Sequence, residues 1–284
     1  MTSSLTSREL RQGRPHRFDP ALQGHRLTIA YRGTDFSGWQ GQRQAGKRTV
    51  QECIEAALEK IWGQKISLQG SGRTDTGVHA LGQVASFNAP RLHKAVVLQR
   101  ALNANLPRDV RIVQCRLVSP AFHARFDARG KTYRYLIWNR LVQDPFTLDT
   151  HWHVPRTLDL PAMRRAARLL LGRHDFASFT SNPGYEREST VRVMQRASVA
   201  RDGAALVFHF TADGFLYRMV RNLVGALAKV GLGKITVDDF GKILRACSRS
   251  EAPATAPACG LYLMKVTYGK NRTTHPASER LSSP

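Results

Sequence analysis

The chain has 284 residues, and its 42% hydrophobic and 8% aromatic content can bury a core and excludes wholesale disorder. The 43 Lys+Arg against 21 Asp+Glu give a formal net charge of +22, a field that attracts polyanions, with nucleic acid the first to consider. Four scattered cysteines (Cys53, Cys115, Cys247, Cys259) without a CxxC pair exclude a zinc site by spacing and a disulfide framework, which points to a reducing compartment and cytoplasmic localisation.

No apolar run approaches the ~20 residues that span a bilayer, so no membrane partner is expected. Residues 1–24 are Ser, Thr, Arg and Gln without an apolar segment and read as a basic disordered tail, not a secretory signal. Leu27, Ile29 and Tyr31 alternate with Thr28 and Ala30, which predicts a strand. A turn rich in glycine follows at Gly33, Gly38 and Gly41. Thr49 and Glu52 form a capping box, and Val50, Ile54, Ala57, Leu58 and Ile61 then repeat at helical spacing over 50–62. Ile66 and Leu68 begin a second strand, Val84 to Phe87 a third, a weaker helix runs through Val96, Leu98 and Leu102, and Val110 to Leu117 closes as a strand. The order β-α-β-β-α-β is the ferredoxin-like pattern and assigns 25–119 to a first α+β half.

A second half, 120–268, resembles the first in pattern. Thr132 to Trp138 is a strand and Leu160 to Leu171 a helix; Val191 to Val199 and Ala205 to Thr211 are strands around the turn Arg201-Asp202-Gly203. Leu216 to Val230 is a long helix, a shorter one opens at Thr236, and Leu261 to Val266 is the last strand. Residues 269–284 read as a second disordered tail. The fold class expected is α+β, two ferredoxin-like halves whose mostly antiparallel sheets are merged or packed around a central basic cleft. Arg91, Lys94, Arg100, Arg108, Arg111, Arg116, Arg125, Arg129, Lys131, Arg134 and Arg140 fall in 91–150, where the halves meet, against four acids. This segment is the expected phosphate-binding cleft, the plain alternative being a solvated basic face.

The densest chemical signal is Gly70-Ser71-Gly72-Arg73-Thr74-Asp75-Thr76-Gly77-Val78-His79-Ala80, between two predicted strands. Its glycines let the backbone turn sharply and approach a ligand. Arg73 can hold Asp75 ionised, as suits a nucleophile or base; alternatively Asp75 closes an Asx turn and Arg73 is solvated. There is no GxxxxGK[ST], no GxGxxG opening a helix, no HExxH and no GxSxG in this loop. The chemistry expected is therefore that of a carboxylate with no cofactor and no metal. His79, His123, His151, His153 and His174 have no spacing that closes a metal site, and His151-Trp152-His153 reads as a structural strand. Trp39 either stacks on RNA or packs as a lid on its own half.

Arg73 to Ala80 with Gly82-Gln83-Val84 resembles the signature of the TruA family of tRNA pseudouridine synthases. The resemblance runs from about Leu27 to Tyr268. It includes Tyr31 with Gly33, Thr34 and Phe36; Gly38-Trp39-Gln40; Thr49-Val50-Gln51; and Leu102 to Pro107. It continues through Phe122 to Phe126, Lys131-Thr132-Tyr133-Arg134-Tyr135, Phe215 to Gly225 and Gly260 to Leu263. The resemblance implies that Asp75 is the catalytic nucleophile, and that Tyr133 stacks on the target base and assists proton transfer. It makes Arg73 the arginine that pairs with the aspartate and helps extrude the nucleotide, and Arg218 or Arg221 a second partner, Arg218 at the more variable spot. Ser71 and Thr76 stand where the family commonly has alanine, and Cys259 where a polar residue is frequent. The implied function is isomerisation of uridine at positions 38–40 of the tRNA anticodon stem-loop, by a homodimer. An RNA-binding protein without catalysis on the same scaffold is the alternative, and a carboxylate facing a polyanion argues against it.

Overall fold

A computed structural model describes residues 22–40, 48–90, 94–182 and 189–269. The expected tails lie outside these residues, except that Leu22–Gly24 already belong to a strand and Gly269 is described; Gly41 and Arg91 also lie outside.

The first half comprises β1 (Leu22–Tyr31), α1 (Val50–Trp62), β2 (Gln69–Gly70), β3 (His79–Pro90), α2 (Ala95–Asn105) and β4 (Val110–Val118). α1 begins at the predicted capping box: the Glu52 amide donates to the Thr49 hydroxyl at 3.3 Å, and the Thr49 amide donates to the Glu52 carboxylate at 2.9 Å. It stops at Gly63, which adopts the left-handed conformation at φ 69°. The strand expected at Ile66 and Leu68 pairs only from Gln69 on. The reason lies in α1, because the Glu55 carboxylate accepts the Leu68 amide and Gln51 Nε2 donates to the Leu68 carbonyl, which takes both groups from any ladder.

The second half comprises β5 (Ala128–Trp138), β6 (Trp152–His153), α3 (Leu160–Arg168), β7 (Gly172–Asp175), β8 (Val191–Asp202), β9 (Ala205–Ala212), α4 (Met219–Gly231), α5 (Val237–Ala246) and β10 (Leu261–Tyr268). β7 has no alternating pattern in sequence and was not anticipated. α4 starts at Met219 and not at Leu216, because Arg218 takes a left-handed φ of 58° and cannot extend the helix. Its residues are apolar around most of the circumference and nearly all are buried, as such a pattern requires.

One sheet runs β4-β1-β3-β10-β5-β9-β8-β7, with β2 added beside β3 and β6 beside β5. The halves therefore repeat one order, β4-β1-β3-β2 and β10-β5-β9-β8, and the sheets are merged, as expected. The seam is β3 with β10, parallel and paired only at His79 with Tyr262 and Ala80 with Leu263. β1 fixes the two faces of the sheet. The His25 ring meets Trp62 of α1 edge-on at 6.0 Å, so His25, Leu27, Ile29 and Tyr31 face the helices and Arg26 faces away.

Candidate active site

Asp75 lies at the seam, in the loop between β2 and β3, and neighbouring segments shape that loop. The Val78 amide donates to the Asp75 carbonyl at 3.1 Å, closing a turn whose third position is Gly77 at φ 78°, the left-handed conformation that this kind of turn requires. Gly38, at φ 89°, lies so close to the Thr74 carbonyl that a Cβ there would collide with it, and the Trp39 amide donates to that carbonyl at 3.1 Å. Trp39 is buried against Gly70, so it is a lid packed on its own half and no stacking platform.

Beneath the loop, the Ser71 hydroxyl donates to the buried Gln83 side-chain carbonyl at 2.7 Å, and Gln83 Nε2 donates to the Gly72 carbonyl at 2.9 Å. Lys131 Nζ donates to the Ser71 carbonyl at 3.0 Å. Burial, with Arg125 adding to it, pulls the Lys131 ammonium down to about 8. Tyr31 shares a 2.8 Å hydrogen bond with the Thr74 hydroxyl. His79 Nδ1 accepts the Gly33 amide at 3.0 Å, so Nε2 carries the proton and donates to the carbonyls of Asp149 at 2.9 Å and Cys259 at 3.1 Å. This ring joins three segments, and burial holds it neutral, below the usual histidine range.

The Asp75 carboxylate points across the seam. Arg221, in the first turn of α4, donates from Nη1 to Asp75 Oδ2 at 2.8 Å, with side chains only 14% and 19% exposed respectively. Arg221 Nε is fixed by the Ala256 carbonyl at 2.8 Å. Arg218 Nε lies 3.8 Å from the same oxygen and is more open to solvent, its guanidinium 4.9 Å from the Tyr217 ring centre. Both arginines stand at the start of α4, whose positive end also attracts a carboxylate. Tyr133 on β5 is largely buried, edge-on to Phe215 at 4.9 Å. Burial first, then the neighbouring Tyr31 and Asp75, push its phenol well above the usual range, so it stays protonated.

Three of the expected site residues, Asp75, Arg218 and Arg221, thus converge, and Tyr133 adjoins them. Arg73 does not pair with Asp75: its Nε donates to the Gln40 side chain at 2.9 Å, and the guanidinium is exposed. The Asp75 carboxylate is instead occupied by Arg221. Of the cations of 91–150, Lys131 bonds the loop, whereas Arg134 lies over the Tyr262 ring and Arg111 bonds the carbonyls of Pro107 and Val110. Sequence reading missed Gln83, the support from Lys131 and the joining role of His79, although all three stand in quoted blocks. Their signal was polarity at positions that alternation assigns to the interior. Among the described residues no His, Cys, Asp and Glu group could hold a metal, and no helix is long and apolar enough to cross a membrane.

A ten-stranded sheet with a carboxylate facing two arginines and a protonated phenol at its seam defines an α+β protein equipped for carboxylate chemistry. Residues 27–127 and 166–269 match the family described as tRNA pseudouridine synthase. The chain is 51% identical over 248 residues to the tRNA pseudouridine synthase A of Methylacidiphilum infernorum, covering 87% of this chain and 96% of that one. It is 49% identical over 249 residues to that of Solidesulfovibrio magneticus, covering 86% and 90%. Among solved structures, a chain of a Cbf5-Nop10-Gar1 complex aligns with 84% of this chain and 58% of its own at 12% identity and a TM-score of 0.30, too distant to bear on the site. The chain belongs to the tRNA pseudouridine synthase family.

Proposed function

We propose that this protein isomerises uridine to pseudouridine in tRNA, at positions 38–40 of the anticodon stem-loop, with Asp75 as the catalytic nucleophile. The observation that carries the reading is the Asp75–Arg221 ion pair across the seam, which holds the carboxylate in one orientation. The reaction breaks the bond from C1′ to N1 and forms one from C1′ to C5; C5 loses its proton and N1 gains one, so neither redox equivalents nor a transferred group is required. Tyr133, held neutral, stacks on the base and relays a proton through its hydroxyl. Arg218, the more exposed guanidinium, meets the phosphate of the extruded nucleotide. Arg73, open at the rim, guides that strand into the site. The enzyme works without metal or cofactor, in the cytoplasm, as a homodimer.

The experiment is tritium release from [5-³H]uridine-labelled tRNA by purified protein in excess chelator, with the modified positions then mapped. Release confined to positions 38–40 is the expected result. No release, or release only on adding a metal or nucleotide, would overturn the reading.

A further inference from the structure

On the side of the sheet away from Asp75 the strands fork. β10 pairs with β3 at Tyr262 and Leu263, after which it follows β5 as far as Tyr268 while β3 follows β1 to Pro90. A segment from the middle of the chain plugs the fork: the Ala124 amide donates to the Ser86 hydroxyl at 3.0 Å, and the Tyr268 hydroxyl donates to the Ala124 carbonyl at 2.7 Å. Beside this plug is a groove of about 540 Å³ whose polar lining includes Arg26, Arg116, Lys265 and Thr267, and among the described residues no carboxylate lines it.

Three features make this groove an anion site. Arg26 on β1 and Arg116 on β4 are direct cross-strand partners, and like charges so placed cost stability. Among the described residues no ion pair includes Arg26, Arg116 or Lys265. The Arg26 guanidinium is held in place over the rings of Phe122 at 5.8 Å and Tyr268 at 5.6 Å. Burial first, then the Arg116 charge, pull the Arg26 pKa below the usual range, the sign of a cation lacking a counter-charge. A bound anion would relieve both the repulsion and the desolvation.

The groove is distinct from the Asp75 site. Arg26 faces away from the helices, and Lys265 pairs with Thr132, which places it on the face opposite Tyr133. Along β3, the partner of Arg26 is Ser86, and 86 − 79 = 7 residues separate it from His79 beside the Asp75 loop; at ~3.3 Å per residue this is about 23 Å. The strand that carries Arg116 is the edge of the sheet, so RNA lying across the front can turn around that edge.

We propose that the groove of Arg26, Arg116 and Lys265 binds backbone phosphates of tRNA outside the anticodon stem-loop, as a second contact to the substrate. Forked guanidiniums suit phosphate oxygens, and the position rules out contact with the extruded nucleotide. The proposal rests on the reading of the protein as a tRNA enzyme.

The test compares the full chain with its Arg116→Gln/Lys265→Gln variant in titrations against full-length tRNA, an isolated anticodon stem-loop and inorganic phosphate, over a range of salt. For full-length tRNA, the variant should lose about tenfold in affinity, and its slope of log K against log[salt] should fall by about 0.7–0.9 per contact removed. Affinity for the stem-loop should be unchanged, as should kcat at saturating tRNA, with KM raised. Arg116→Gln alone should melt no lower than the parent, because it removes a like-charge pair. Equal losses for tRNA and stem-loop, unchanged tRNA affinity, or loss of phosphate binding alone would each overturn the proposal. Failure of the isomerase reading would show separately, as absence of tritium release by the parent protein.

Discussion

Asp75 and Arg221 are 146 residues apart in sequence and 2.8 Å apart in space, and their ion pair ties the loop before β3 to the first turn of α4. The contact places both halves of the chain in one site, so the sheet must merge for the site to exist. Arg221→Met should leave a partly buried carboxylate without its counter-charge. The carboxylate then loses its fixed orientation, and kcat should fall by at least about 100-fold with tRNA affinity little changed. Single-turnover kinetics and tRNA binding on the purified variant test this, and an unchanged kcat would count against the pair as the element that orients the carboxylate.

The strands and helices that carry the core were legible because alternation and helical spacing record which face is buried: β1, α1, β5 and α4 all follow their patterns. The loss of pairing at Ile66 and Leu68 was not legible, since it depends on side chains of α1 reaching the Leu68 backbone. In the site, Asp75 and Tyr133 could be named from their motifs, whereas the choice between Arg73, Arg218 and Arg221 required three dimensions. Nothing in a linear sequence says that, of three cations, the one 146 residues away reaches the carboxylate. The Ser71 departure became intelligible only with Gln83 beneath it, as a buried hydroxyl with a partner.

Lys131 offers a test of loop support. Lys131→Met removes a buried cation that has no acid partner, so the fold should hold or gain stability, while the Ser71 carbonyl loses its donor. Turnover should drop about tenfold as the Asp75 loop loses its position. In the parent, the Lys131 pKa is lowered from its unfolded value to about 8. The unfolded chain therefore binds more protons at this group between about pH 8 and 10.5, and this group's contribution to stability rises with pH across that window. Melting curves and kinetics on the variant check both parts; a variant that unfolds would contradict the first.

His79 sets the acid side. Its folded pKa is lowered by burial, so the stability it contributes is complete above about pH 6.5 and is lost as pH falls from there towards the folded value. Protonation also takes Nδ1 away from the Gly33 amide. His25, His123, His151 and His209 shift in the same direction. The melting temperature should accordingly fall between about pH 6.5 and 5, and His79→Gln should flatten part of that fall. A melting temperature that is constant across this range would exclude the effect.

Gly38 is constrained twice in the approach to Asp75, with φ at 89° and the Thr74 carbonyl where a Cβ would be. Gly38→Ala should cost about 1–3 kcal/mol and lower turnover more than it lowers tRNA affinity, because it displaces the loop that bears Asp75. Denaturant titration and the separation of kcat from KM check this.

The account stands most directly on Asp75→Asn, which preserves volume and turn geometry but removes charge and nucleophilicity. Single-turnover tritium release from [5-³H]uridine-labelled tRNA, measured beside tRNA binding, should show no release above background with binding equal to the parent's or slightly tighter. Isomerisation by Asp75→Asn protein purified from a host lacking its own enzyme would contradict the claim that this carboxylate carries the reaction.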